Sequence, residues 1–307
     1  MTASTLPASR STNPFAGLMR GTTGPVIVVV LALLAIWYVA AVVLNTPFQR
    51  DTYARANQSD VPFSQLVGDT LAQERPVLPA PHQVIAEMWD TTVKKAVTSK
   101  RSLVYHTWIT LSTTLLGFLI GTLLGVLIAI GIVHSRVLDK SLMPWVISSQ
   151  TIPILAIAPM IIVVLNAVGI SGLLPKAMIS TYLSFFPVTV GMVKGLRSPE
   201  IIHLDLMHTY SASKLQAFLK LRLPYAVPYL FTSMKIGIAA SLVGAIVGEL
   251  PTGAVAGLGA RLLAGSYYGQ TVQIWSALIM AALLAGSLVG LIGIAEKITL
   301  KRMGMAQ

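Results

Sequence analysis

The sequence predicts an all-α membrane protein with six transmembrane helices, and three observations carry that prediction. Of the 307 residues, 54% are hydrophobic and only 11% charged, whereas soluble domains run near a quarter charged. The apolar residues gather into six runs long enough to cross a bilayer, which takes about 20 residues. The Lys and Arg behind the net charge of +11 lie mostly in short segments between those runs. That is the pattern of membrane topology and headgroup attraction, not of a nucleic-acid-binding stripe.

Residues 1–24, rich in Ser, Thr and Pro, read as a tail, and residues 25–44 as the first span. A secretory signal has an apolar core of about 7–15 residues followed by a small-residue cleavage site. This run is longer and lacks such a site, so the span is expected to be retained, with Trp37 and Tyr38 as interfacial anchors. Residues 45–102 are rich in both Lys/Arg and Asp/Glu and cannot cross a bilayer. They are expected to form an outer loop. Within it, after Leu78-Pro79-Ala80-Pro81, the spacing of Val84, Ile85, Met88 and Trp89 marks an amphipathic helix lying on the membrane or against the bundle.

Residues 103–300 supply five more spans, read as 103–133, 145–168, 174–193, 230–250 and 272–295. Gly117, Gly121 and Gly125 recur every four residues in the second, placing them on one helical face that lets another backbone come close. A polar loop is expected at 134–143, a short link at Gly169–Gly172, and a Gly-rich loop at Pro251–Arg261. The tail is 301–307. Six spans put both ends on one side. With the ends inside, the inside segments take more Lys and Arg than the outside ones, so both termini are expected to be cytoplasmic.

Few residues suggest chemistry. There is no cysteine, which excludes thiol catalysis and thiolate metal sites. The five histidines form no metal-binding pattern, and neither a catalytic residue nor a metal site is expected. Lys235, near a span end, is expected to snorkel. Glu249 falls at the outer mouth of the fifth span, either lining a gate or lying at an interface. Gln150, Asn166 and Ser184 are candidates to line a path, hydrogen bonding between helices being the other reading. No central charge pair suggests a proton relay.

The 194–227 segment has unusual order for a linker. Ser198-Pro199-Glu200 reads as a helix start. A first short helix would run to about Tyr210, and Ser211-Ala212-Ser213 would be a turn. A second helix, Lys214–Leu223, would place Leu215, Phe218 and Leu219 on one face until Pro224 and Pro228 stop it. Such a helix suits either the inner leaflet or the groove of a partner protein.

The run Asp205-Leu-Met-His-Thr-Tyr-Ser-Ala-Ser213, followed by Phe218 and Leu223-Pro224, resembles the "EAA" loop of ABC importer permeases, the inner-membrane components of binding-protein-dependent transport. The Leu78–Pro81 turn, the glycine-spaced second span, Pro153 and Pro159 in the third, and Gly248-Glu249 extend the resemblance to the nitrate/sulfonate/taurine branch, over about residues 78–300. The loop at Glu249–Gln270 looks more like the relatives that carry heterocycles.

The resemblance implies the type I ABC importer permease fold. It implies a coupling helix seated in a separate ATPase, with Asp205, Ser211, Ala212, Ser213, Leu215, Phe218, Leu219 and Pro224 as coupling residues. Two copies of the ATPase would use ATP and Mg, and this chain would bind no cofactor; it contains no G-x-x-x-x-G-K-[ST] run. A periplasmic solute-binding protein, membrane lipids and a second permease subunit would complete the assembly. The solute would come from the nitrate, sulfonate, taurine, pyrimidine-precursor and riboflavin range. Two positions depart from the family pattern: Asp205-Leu206-Met207 replaces Glu-Ala-Ala, and Ser211 replaces a turn glycine. An altered turn is therefore expected, and a heterodimer is favoured over a homodimer. The competing classes are a secondary transporter, for which no inverted repeat is found, and a membrane assembly factor or enzyme working through residues 45–102, which hold no nucleophile–base cluster.

Overall fold

The structure, a computed structural model, describes residues 23–58, 61–251 and 256–305. The expected N-terminal tail therefore lies almost wholly outside the described residues, as do residues 252–255 of the Gly-rich loop. The described residues are helical, with no strand among them. They divide into two units, residues up to Ala86 and residues from Glu87 onward.

In the first unit, α1 (Thr23–Arg55) runs well past the expected span end at Leu44, through Pro47. Residues 45–55 are thus helix rather than loop. α2 (Phe63–Leu71) packs back on this extension, with the Tyr53 hydroxyl donating to the Asp69 carboxylate. Asn45 is the hub. Fully buried, it accepts from Val77 N (2.8 Å) and Leu78 N (3.1 Å) and donates to Leu78 O (2.9 Å). Trp37 Nε1 donates to Pro79 O at 3.0 Å. α3 (Pro81–Trp89) is the expected short helix, continued by a π turn over Asp90–Lys94. Of its apolar residues, Val84 is buried, whereas Ile85 and Trp89 are exposed on this chain.

The second unit is built on α4 (Leu103–His134), α7 (Leu173–Leu196), α10 (Leu223–Glu249) and α12 (Thr271–Arg302). The glycine face of α4 meets α7. A Cβ added at Gly117 would lie 2.7 Å from Ala177 O, at Gly121 3.1 Å from Thr181 O, and at Gly125 2.8 Å from Phe185 O. Both numberings rise together, so α4 and α7 are parallel. Gly191 and Gly195 of α7 likewise admit Ser233 and Ala226 of α10, and Gly244 admits Ser180, so α10 is antiparallel to both. Hydroxyls close the contacts: Thr181 Oγ1 donates to Gly117 O (3.1 Å) and Ser241 Oγ to Thr114 O (2.8 Å). In lipid, where tails are as apolar as Leu, such close approach and bonding hold helices together.

The remaining elements correct the expectations in several places. The third span is not one helix. α5 (Arg136–Ser149), capped by Ser135 where a polar loop was expected, and α6 (Ile154–Ala167) meet at 102° across residues 150–153. Because α4 and α7 are parallel, α5 and α6 together must cross from the end of α4 to the start of α7, so the pair counts as one crossing and the total among the described residues is six. The Gly-rich loop ends in a helix, α11 (Leu258–Tyr267). Lys235 pairs with Glu296 of α12, which stays helical to Arg302.

Candidate functional site

Between α7 and α10 the chain makes two short helices, α8 (Ile201–Thr209) and α9 (Lys214–Ala217), the latter running through a π segment, Phe218–Arg222, into α10. Ser198 does not cap α8. Its hydroxyl donates back to Gly195 O at 2.7 Å, closing α7, and Glu200 takes the N-cap position. At the turn, Ser211 sits at φ +52°. Ser211 N donates to His208 O (2.9 Å) and Ala212 N to Met207 O (2.9 Å), the bond pair of a Schellman helix end. The expected altered turn is therefore not found; serine keeps the left-handed geometry a glycine would have. Ser213 and Gln216 cap α9 reciprocally, Ser213 Oγ accepting from Gln216 N (3.2 Å) and Gln216 Oε1 from Ser213 N (2.8 Å). The S-x-x-Q spacing was the signal for this box.

The expected apolar triplet divides. Phe218 turns inward onto the cluster of Ala129, Ile132, Val188 and Leu196, its ring 5.0 Å from that of His134. Leu215 and Leu219 are half or more exposed, together with Ile201, Ile202 and Leu206 of α8 and Tyr210 at its C-cap, which periodicity alone did not single out. Asp205, Ser211 and Ser213 are also exposed, Ala212 is half-buried, and Pro224 opens α10. Arg222 Nη1 reaches Leu196 O (3.2 Å), tying the two ends of the segment together.

The four path candidates do not share a site. Ser184 is buried against Gly121, its hydroxyl 3.3 Å from Gly117 O, so it serves helix packing. Gln150 is exposed at the α5–α6 break and Asn166 near the end of α6. Tyr182, Phe186, Val190 and Lys194 follow at four-residue spacing along one face of α7. From Phe186 onward that face borders a groove of about 530 Å³ that α10 closes with Pro228, Tyr229 and Thr232. Lys194 Nζ stands 6.0 Å from the Tyr229 ring centroid.

Glu249 lines no mouth; it is fully buried. Its carboxylate accepts from Thr110 Oγ1 (2.9 Å) and Gly259 N (2.8 Å). Leu258 N donates to Thr110 Oγ1 (2.8 Å) and Gly257 N to His106 Nδ1 (2.9 Å). His106 Nε2 donates in turn to Lys100 O (3.0 Å), which fixes its tautomer. Three successive N–H groups at the start of α11 are thus satisfied by side chains of α4 and α10, a cap assembled in trans. Arg261 holds the next turn, its Nη1 donating to the Gln273 amide oxygen (2.6 Å) with Glu87 at 3.9 Å. Burial pushes its guanidinium below the usual range, and Glu87 pushes it back up.

Candidate membrane crossings, three of them (α4, α7 and α10) packed through glycine contacts, and an ordered two-helix segment between α7 and α10 suit a membrane permease subunit. The family described as binding-protein-dependent transport system inner membrane component matches residues 121–304, and this chain belongs to it. Among its relatives is riboflavin transport system permease protein RibX of Chloroflexus aurantiacus, 33% identical over 225 residues, 73% of this chain and 80% of the relative. Formylaminopyrimidine transport permease protein ThiX of Halalkalibacterium halodurans is 29% identical over 221 residues, 71% of this chain and 81% of the relative. Nitrate import permease protein NrtB of Leptolyngbya laminosa is 26% identical over 219 residues, 69% and 76% of the two chains. The chain is thus an ABC importer permease of the branch the sequence resembles, a multi-pass inner-membrane protein with the fold expected. Its family is one of transporter permeases rather than enzymes, and such permeases work with an ATPase and a solute-binding protein.

Proposed function

We propose that this chain forms half of a solute path and draws its energy from a separate ATPase that binds the α8–α9 segment. The observation that supports the reading is the segment's surface. Ile201, Ile202, Leu206, Tyr210, Leu215 and Leu219 are half or more exposed on a short scaffold fixed by the Ser211 turn, the Ser213–Gln216 box and the Arg222 tie. Exposed apolar residues on a rigid scaffold are what a helix-in-groove contact requires. The α8–α9 end would face the cytoplasm, with both termini on that side. ATP would bias a two-state permease toward the outside, where the binding protein delivers solute.

A small planar heterocycle is the solute we favour, since the riboflavin and formylaminopyrimidine relatives match this chain more closely than the nitrate relative. A second permease half is needed because one chain supplies one such segment. The Asp205-Leu206-Met207 departure favours a different protein as this half, although Ser211 holds the turn; the mass of the intact complex, with two copies of this chain or one, decides it.

Leu215→Asp and Ile202→Asp test the docking surface. Both side chains are exposed here, so insertion and folding are expected to be unchanged. Burying the new charge against a partner costs about 2 kcal/mol or more, roughly thirtyfold in affinity. The ATPase should no longer co-purify and uptake should fall in step. Normal uptake at normal expression would overturn the docking assignment. Phe218→Asp would not serve, because Phe218 is part of the core.

A further inference from the structure

In a bilayer, backbone N–H and C=O groups find no water, and non-helical backbone survives at membrane depth only inside protein or beside a water-filled cavity. Residues 150–153 are such backbone. Gln150 N and Thr151 N turn back three residues, to Ile147 O (3.2 Å) and Ser148 O (3.0 Å), before Pro153 starts α6. Gln150, Thr151, Ile152 and Pro153 are all exposed on this chain.

Their depth follows from α7. The Tyr182 hydroxyl donates to Ser149 O and pins the break level with Tyr182. In a helix running from Leu173 to Leu196, Tyr182 lies about 14 Å from one end and about 21 Å from the other at 1.5 Å per residue. The break is therefore near mid-membrane, and lipid cannot be what covers it. Its exposed side chains at Gln150 and Thr151 are polar. An amide and a hydroxyl offer both donors and acceptors, which serve water and solute or a bond across a dry helix contact, and thiol labelling separates the two. The α7 face that begins at Tyr182 continues through Phe186 and Val190 to Lys194, along the α7–α10 groove.

We infer that the α5–α6 break lines the water-filled solute path at mid-membrane, with Gln150 and Thr151 presented to polar, hydrogen-bonding solutes. The inference rests on the permease reading and adds the element that lines the path. From the break the route runs toward the α8–α9 end along the Phe186–Lys194 face.

The absence of cysteine from this chain makes the test direct. Gln150→Cys, Thr151→Cys and a control, Leu119→Cys, are made in the assembled transporter in membrane vesicles. Leu119 is exposed on α4 at nearly the same depth, since Gly117 is level with Ser180 and Gly121 with Ser184. Each is treated with 2-sulfonatoethyl methanethiosulfonate, and labelling of this chain is followed by mass. Only the thiolate reacts, and apolar surroundings keep a thiol protonated. Both break positions should therefore label at least about tenfold faster than Leu119→Cys. Labelling as slow as the control at both positions would overturn the inference. So would absence of labelling combined with oxidative cross-linking of the two permease halves through Gln150→Cys, which would make the break a dry subunit contact. Neither result touches the permease reading, which stands or falls on co-purification of the ATPase with the unlabelled complex.

Discussion

At Ser211 the backbone holds φ +52°, a conformation that costs an L-residue about 1–2 kcal/mol and glycine almost nothing. Ser211→Gly should therefore stabilise the purified subunit by up to that amount, read as a higher melting temperature, and Ser211→Val should lower it; no change in either would show that the turn relaxes. The Glu249 cap is expected to be more sensitive. Thr110→Val strands Leu258 N and removes a donor from the carboxylate, at about 1–3 kcal/mol, read as a lower unfolding midpoint. Gly257→Ala should be worse, because Gly257 sits at φ +128° and a Cβ there would run into the Glu249 carboxylate. Nothing in the sequence announced this cap. Glu249 could be seen near a span end, but its partner Thr110 lies 139 residues away and His106, which takes Gly257 N, 151 residues from that glycine, and a lone His and Thr in an apolar run carry no periodic signal. The Ser211 turn was half legible: the position stood out, but whether serine would keep the geometry depended on the two bonds that now pay for it.

Among the elements, the glycine face of α4 gives the sharpest contrast. Gly121→Val places branched carbons against Ser184 and Thr181 O, whereas Gly286 and Gly290 of α12 have open space around a built Cβ. Gly121→Val should abolish stable expression or cost several kcal/mol, as core overpacking does at about 1–3 kcal/mol or more. Gly286→Ala should be neutral or stabilising by about 0.5–1 kcal/mol. Equal effects at the two sites would refute the packing role. The four-residue spacing foretold a close contact but not that its partner is α7 of the same chain, because spacing describes one helix and never two. The α5–α6 break was missed for a related reason. Hydropathy measures apolarity rather than direction, and proline alone does not discriminate: Pro159, Pro187 and Pro228 lie inside helices that continue through them. What distinguishes Pro153 is the polar run Ser148-Ser149-Gln150-Thr151 before it.

For the molecule as a whole, the six-crossing topology was legible because apolar run length is a property of sequence alone. The sidedness was not, since Lys and Arg are divided too evenly to fix it. Reporter fusions at Ser64 and Gly304 should report opposite sides, Ser64 outside; a shared side would overturn the six-crossing count. A further consequence follows from the tie between Arg222 and Leu196. With both ends of the α8–α9 segment fastened, a load on that segment cannot be absorbed by the loop. It is delivered to α7 and α10 together, and α7 is keyed through its length to the glycines of α4. Were a partner to press on that segment, the three helices would act as a beam about 36 Å long, and pressure at its tip would arrive elsewhere as tilt. Some 20 Å up that beam, Tyr182 grips the carbonyl of Ser149, so a lever pushed at one end would hold the broken span by its middle.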